Sequence, residues 1–185
     1  MTLTLKIIVF SIATAGMLWV SRSSLRNLEQ HGFYRFFSWE VILVLFLVNM
    51  DSWFVDPFSL RQLFSWGLLM LSLVLILSGV LTFRSFGKLD QGRGDPGLVG
   101  IEKTTTLVTQ GIYRYIRHPF YSSLLFLGWG IFMKQISWFS LFLAIINSAL
   151  LLITAKKEEA ENILFFGEGY EVYMSGTKMF IPFLF

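Results

Sequence analysis

Residues 107–121 read LVTQGIYRYIRHPFY, and the organisation of the chain follows from where this stretch falls. Three apolar runs precede it and an apolar hairpin follows it. The stretch itself carries Arg114, Arg117 and His118 among Tyr113, Tyr115 and Tyr121. Gly111 can turn the backbone without steric cost. Pro119 turns the residue before it, His118, away from helical geometry. A new apolar run begins at once, at Phe120. A polar, geometrically constrained knot at the mouth of a membrane segment is costly unless it binds something, so the functional site is expected here.

The composition agrees with that placement. The chain has 185 residues, the size of one domain. It is 55% hydrophobic and only 15% charged, with 20 Phe and 6 Trp, and its mean hydropathy is +0.64. Long apolar runs with so few charges belong in a bilayer. The absence of Cys excludes disulfides, thiolate metal sites and a cysteine nucleophile. His31 and His118 are the only histidines, and no cluster has metal-ligand spacing, so no metal is expected. No basic tract suits nucleic acid.

Working outward, five spans are predicted, at residues 3–20, 39–55, 60–83, 120–133 and 137–155. Residues 120–133 are short against the ~20 that an independent span needs. Arg22 and Arg26 follow the first run and no small-residue cleavage site does, so it reads as a retained helix. Residues 21–38 read as a polar connection. Residues 84–118 form the one long polar segment, opened by a glycine-rich part between Gly87 and Gly100 that suits a lid or a linker. Residues 156–185 read as an amphipathic tail interrupted at Gly167 and Gly169, with Tyr170 and Tyr173 on one face where it is helical. The expected fold is an all-α integral membrane protein. Its N-terminal part is residues 1–83 and its core, of loop, hairpin and tail, is residues 84–185, in one structural domain.

Charge orients the spans. Five crossings place twelve of the 15 Lys and Arg residues on the side of the knot and the tail, and leave Lys6, Arg61 and Lys134 on the other. The positive-inside rule then puts the N-terminus outside and the knot and C-terminus in the cytoplasm. No charge falls at a span centre, which argues against an ion pathway. Asn147 and Ser148, mid-span, read as helix–helix hydrogen-bonding residues. Glu158 and Glu159 read either as a solvated helix end balanced by Lys156 and Lys157 or as receptors for a cationic ligand group. Arg114 fits the orientation rule alone. Arg117 can meet a carboxylate bidentately.

With LVTQGIYRYIRHPFY at 107–121 and KEEAENILFFGEGYEVY at 157–173, closed by Thr177, Ile181 and Pro182, the chain resembles the isoprenylcysteine carboxyl methyltransferase family and its relatives among phospholipid methyltransferases. The resemblance covers roughly residues 104–182. It implies a membrane methyltransferase that uses S-adenosylmethionine without a Rossmann domain, in a cytoplasm-facing pocket closed by the tail. A lipophilic small molecule or lipidated substrate would enter from among the membrane lipids. Carried over by position, cofactor contacts fall on Thr105, Thr106, Leu107, Val108, Tyr113, His118, Pro119, Phe120, Tyr121 and Glu158, with Leu107 and Val108 flanking the adenine. The substrate-facing Arg of the carboxyl methyltransferases is replaced here by Thr154. Arg117 and Glu159 are the catalytic candidates, and Glu159 or His118 would deprotonate an amine acceptor. A prenylcysteine carboxylate, a phospholipid amine, a thiol and an isoprenoid all stay open as acceptors. A nicotinamide-dependent membrane reductase and a non-catalytic membrane module are the rival readings.

Overall fold

The computed structural model describes residues 1–87 and 105–184, and every described regular element is helical. The helices are α1 (Leu3–Ser21), α2 (His31–Asn49), α3 (Leu60–Phe86), α4 (Pro119–Phe132), α5 (Trp138–Phe166) and α6 (Glu168–Gly176). Among them α1, α2, α3 and α5 are long and apolar enough to cross a membrane, and α4 is apolar but shorter. The chain is an all-α integral membrane protein.

Lengths explain the layout. At about 1.5 Å per residue the 14-residue α4 covers about 21 Å, less than a hydrocarbon core of about 30 Å. The 29-residue α5 covers about 43 Å and must project beyond it. The projecting end carries Glu158, Glu159 and Glu161. The short α4 starts at the same level, because Pro119 opens it and His118 is its non-helical cap at φ −122° and ψ 64°. Carboxylates and imidazole therefore meet at one end of the bundle.

α3 packs along α4, α2 packs along α5, and α4 and α5 form the hairpin between these pairs, while α1 packs chiefly on α2. In a bilayer the helices gain little from apolar contact alone, and buried polar side chains join them. Ser38 Oγ donates to Asn147 Oδ1 at 2.7 Å, Ser72 Oγ to the Ser123 carbonyl at 2.7 Å, and Ser65 Oγ to the Gly130 carbonyl at 2.7 Å. Trp129 Nε1 donates to Ser148 Oγ at 3.1 Å. Asn147 and Ser148 thus serve the helix contacts that their mid-span position suggested.

The bounds of α2, α3 and α5 differ from the sequence reading. α2 begins at His31, inside the stretch taken as a connection, and ends at Asn49. Polarity misled there, because His31, Arg35 and Ser38 are buried polar residues facing other helices, not solvent. The earlier start also brings Glu40 to mid-helix, where Thr14 Oγ1 donates to its Oε2 at 2.8 Å, so one carboxylate does lie within a span. α3 continues past residue 83 to Phe86. The residues read as the start of a tail are the last turns of α5, and the break falls at Gly167 alone, at φ 59°, while Gly169 is helical. Of the predicted glycine-rich lid or linker, residues 88–100 lie outside the described residues.

The end away from the knot has its own polar lock. Gln62 Nε2 donates to the Ser52 and Val55 carbonyls at 3.0 Å each, and Lys134 Nζ donates to Gln62 Oε1 at 3.0 Å. Lys134 is fully buried, with its ammonium 3.1 Å from the Trp66 ring centroid. Burial first, and then the Arg61 charge, press its pKa down to about 8.

A Cβ on Gly128 would stand 2.6 Å from Asn147 Nδ2, so Gly128→Ala displaces the amide that links α2, α4 and α5. The expected cost is about 1–3 kcal/mol, read as a lower Tm in detergent, and an unchanged Tm refutes the contact. For Lys134, the ammonium is disfavoured in the folded chain, so the folded state binds fewer protons than the unfolded one between about pH 8 and 10.5. Stability therefore rises with pH across that window, and Lys134→Met should remove the rise.

Candidate functional site

The knot is built by a parallel backbone pairing between the segment before α4 and the end of the chain. Lys178 N–H donates to the Tyr115 carbonyl at 3.1 Å, Arg117 N–H to the Lys178 carbonyl at 2.8 Å, and His118 N–H to the Met179 carbonyl at 3.2 Å. Ser122 Oγ donates to the Phe180 carbonyl at 2.8 Å. Phe180 is buried against Tyr121, Leu151 and Ala155. Gly111, at φ 57°, lets the segment before α4 lie close against α3, where a Cβ would stand 2.5 Å from Thr82 Oγ1.

Arg117 ties the pieces together. Its Nε donates to Glu159 Oε1 at 2.7 Å, and its NH1 donates to the Met174 carbonyl at 3.2 Å and to the Thr177 carbonyl. His118 Nε2 lies 3.3 Å from Glu159 Oε1, and its Nδ1 lies 3.9 Å from Glu158 Oε2. The His118 ring stacks on Tyr121 at 5.4 Å between centroids, and the Tyr121 hydroxyl donates to Glu158. The two neighbouring carboxylates therefore have different partners. Glu159 is neutralised by a guanidinium, whereas Glu158 is held by a phenol with an imidazole nearby. Lys157 pairs instead with Glu29, and Arg114 is exposed.

Above this layer lies a partly open pocket. Thr106, Leu107, Val108, Tyr113, Arg117, His118, Pro119, Phe120, Tyr121 and Glu158 line it, so the structure brings these ten expected residues together. Three others stand apart. Thr105 is exposed and outside the described lining. Glu159 is buried behind the wall with Arg117. Thr154 is fully buried, one turn before Glu158, and its hydroxyl donates to the Leu150 carbonyl at 2.7 Å.

Phe83, Asn162, Phe166, Tyr170 and Tyr173 complete the described lining and were not expected there. Asn162 lies four residues after Glu158 on one helix face, a spacing that the sequence carried but that needed α5 to continue past residue 155. Tyr170 and Tyr173 do share a face, with rings 5.8 Å apart, and the Tyr173 hydroxyl donates to the Tyr113 carbonyl at 2.7 Å. Burial, and secondly the Glu158 charge, push the Tyr170 phenol well above its ordinary pKa, and burial does the same for Tyr173. Both stay neutral at working pH. The site is thus a carboxylate at the base of an aromatic box, a combination that receives cations.

The phospholipid methyltransferase family matches residues 60–163, from the start of α3 to near the end of α5. The chain belongs to that family. No curated protein and no solved structure matches it significantly. The match covers more than half the chain and includes the knot, both arms of the hairpin and Glu158. It makes this protein an integral membrane methyltransferase of the phospholipid-methyltransferase type, and it includes α3, which supplies Phe83, in the matched region.

The Arg117 contacts give a direct test. Arg117→Ala leaves Glu159 buried without its guanidinium and releases two carbonyls of the C-terminal segment. The expected loss is about 3–5 kcal/mol, with faster limited proteolysis after residue 174. Equal proteolysis of the variant and the parent refutes the docking role.

Proposed function

We propose that this protein transfers a methyl group from S-adenosylmethionine to the amine of a phospholipid headgroup at the cytoplasmic face of the membrane. The observation that carries the reading is Glu158 at the base of an aromatic cavity closed by the C-terminal helix α6. The donor set fits a sulfonium: a carboxylate supplies charge, while the Tyr121, Tyr170 and Tyr173 rings supply electron-rich faces. Leu107, Val108 and Phe83 offer apolar surface to a purine. S-adenosylmethionine supplies an electrophilic methyl on that sulfonium when bound. The chain's residues then have to orient the two reactants and exclude water, a role suited to a pocket beside a C-terminal segment that Arg117 pins. The bias of twelve cations to three supports placing this end in the cytoplasm.

The nature of the acceptor follows from charge. A carboxylate acceptor, as in the isoprenylcysteine enzymes, needs a cation facing it. Thr154 offers none, and its hydroxyl is turned to its own helix. A second anion beside Glu158 would also be repelled. An amine is attracted by the same carboxylate. A nicotinamide dinucleotide needs cations for its phosphates, but Arg117, the guanidinium among the described lining residues, is engaged by Glu159 and two carbonyls.

Calorimetry on the purified protein in lipid should detect S-adenosylmethionine, and Glu158→Ala should weaken it by about ten- to hundred-fold, the loss of one charge-assisted contact. Methyl transfer should reach phosphatidylethanolamine and not a prenylcysteine. Binding of NADPH in place of the sulfonium cofactor would overturn the assignment.

A further inference from the structure

Side chains tie the helices together at the knot. His31 Nδ1, at the start of α2, lies 2.6 Å from Glu161 Oε2 of α5, and Arg117 holds Glu159 and the carbonyls of Met174 and Thr177. The segment after Thr177 reads KMFIPFL at 178–184. Its backbone pairs with the segment before α4 as far as Met179, and the Phe180 carbonyl accepts from Ser122. Beyond Phe180, no hydrogen bond joins residues 181–184 to the rest of the described residues. The Leu184 N–H donates to the Ile181 carbonyl at 3.2 Å and closes a tight turn within the segment.

That turn runs against a backbone preference. Pro182 holds its second position, which the fixed φ of proline favours. Phe183 holds the third at φ 66°, a conformation that suits glycine and is costly for a bulky side chain. The ring gains no burial in return. Phe183 is 83% exposed and Leu184 78%, and Phe183 meets the exposed Tyr115 edge-on at 6.3 Å between centroids. Backbone strain that turns an aromatic ring outward points to a role for the exposed ring. The turn also lies at the membrane boundary. Phe180 is buried with Tyr121 and Leu151, and Ile181 packs on the same apolar cluster. Leu151 stands about 10 Å of helix closer to the bilayer centre than Glu158. Pinned by Arg117 at the level of the acids, the chain therefore runs back toward the hydrocarbon, where Phe183 and Leu184 meet lipid.

Two cations stand where this segment leaves the knot. Arg114 and Lys178 are exposed and form no ion pair among the described residues. The Lys178 N–H donates to the Tyr115 carbonyl, so the two side chains start from adjoining stretches of backbone. An aromatic and aliphatic tip with unpaired cations beside it suits a negatively charged headgroup layer. We propose that residues 178–184, with Arg114 and Tyr115, form a membrane-interface anchor that takes an anionic phospholipid. Phe183 and Leu184 enter the leaflet on the side of the knot, and Arg114 and Lys178 meet the headgroup charge. None of these residues is in the described lining of the pocket. The anchor acts on the pocket through the chain, because Tyr170 and Tyr173 of α6 line it and α6 leads through Thr177 into the anchor. Lipid that holds the anchor therefore holds α6 over the pocket.

The test is limited proteolysis of the full chain in lipid nanodiscs, read after residue 174, where cleavage follows the undocked population. It needs neither cofactor nor acceptor, so it stands apart from the assignment of the reaction. Adding phosphatidylglycerol to phosphatidylcholine should slow the cleavage, by about fivefold for each cation near the anionic surface. Arg114→Gln combined with Lys178→Gln should abolish the difference between the two lipids, and inorganic phosphate should not reproduce the protection. Phe183→Gly separates an anchor from a mere turn residue, because glycine relieves the backbone. As an anchor variant it is cleaved about tenfold faster than the parent, the low end of what burying a Phe side chain is worth. A second readout uses the lack of Cys in the chain. A nitroxide on Leu184→Cys should be relaxed more by oxygen, which concentrates in lipid, than by a water-soluble nickel complex. One on Glu171→Cys, at an exposed position of α6, should show the reverse. Cleavage of Phe183→Gly no faster than the parent, cleavage indifferent to phosphatidylglycerol, or a nitroxide at 184 that favours nickel would each overturn the anchor.

Discussion

The structure depends on the buried ion pair between Arg117 and Glu159. One guanidinium holds the projecting end of α5, the segment leading into α4, and the carbonyls of Met174 and Thr177. A buried pair of this kind gains little over apolar packing, but half of it is very costly to leave behind. That asymmetry makes it a specificity device. Once Arg117 is inside, the C-terminal segment has only one place to dock, and the cavity is closed on that side.

The pair also separates the roles of two adjacent carboxylates. Successive residues on a helix point about 100° apart, so Glu159 meets Arg117 while Glu158 turns to the cavity, and Glu161 turns to α2. Three acids within one helical turn are thereby given three different partners: a guanidinium, a phenol and an imidazole. Without that division the cluster would repel itself. With it, one carboxylate is left facing the space that a cationic ligand would fill.

Helix length underlies both features. A bilayer accommodates about 20 helical residues. α5 exceeds that and lifts its acids clear of the hydrocarbon, while α4 falls short and starts where those acids emerge. At the other end the same mismatch is resolved by Lys134, Gln62 and the Trp66 ring, which bury the turn between α4 and α5. The hairpin is thus fixed at both ends by polar contacts, with apolar packing between them.

Much of this was legible in the sequence. Apolar runs fixed the all-helical membrane class, Gly111 and Pro119 marked the turn and the start of α4, and the RHP and EE residues marked the end of the bundle where the cavity lies. These are local properties of the chain, set by backbone sterics and by transfer from water. The reach of α2 back to His31 was not legible, because a buried polar face looks like a loop until its partners on α5 are known. Nor was the difference between Glu158 and Glu159, whose neighbours Arg117, His118 and Tyr121 stand some 40 positions away in the chain. Tertiary structure decided which carboxylate meets which cation, because pairing in a low-dielectric interior is a property of distance in space, and sequence spacing carries that only within a helix.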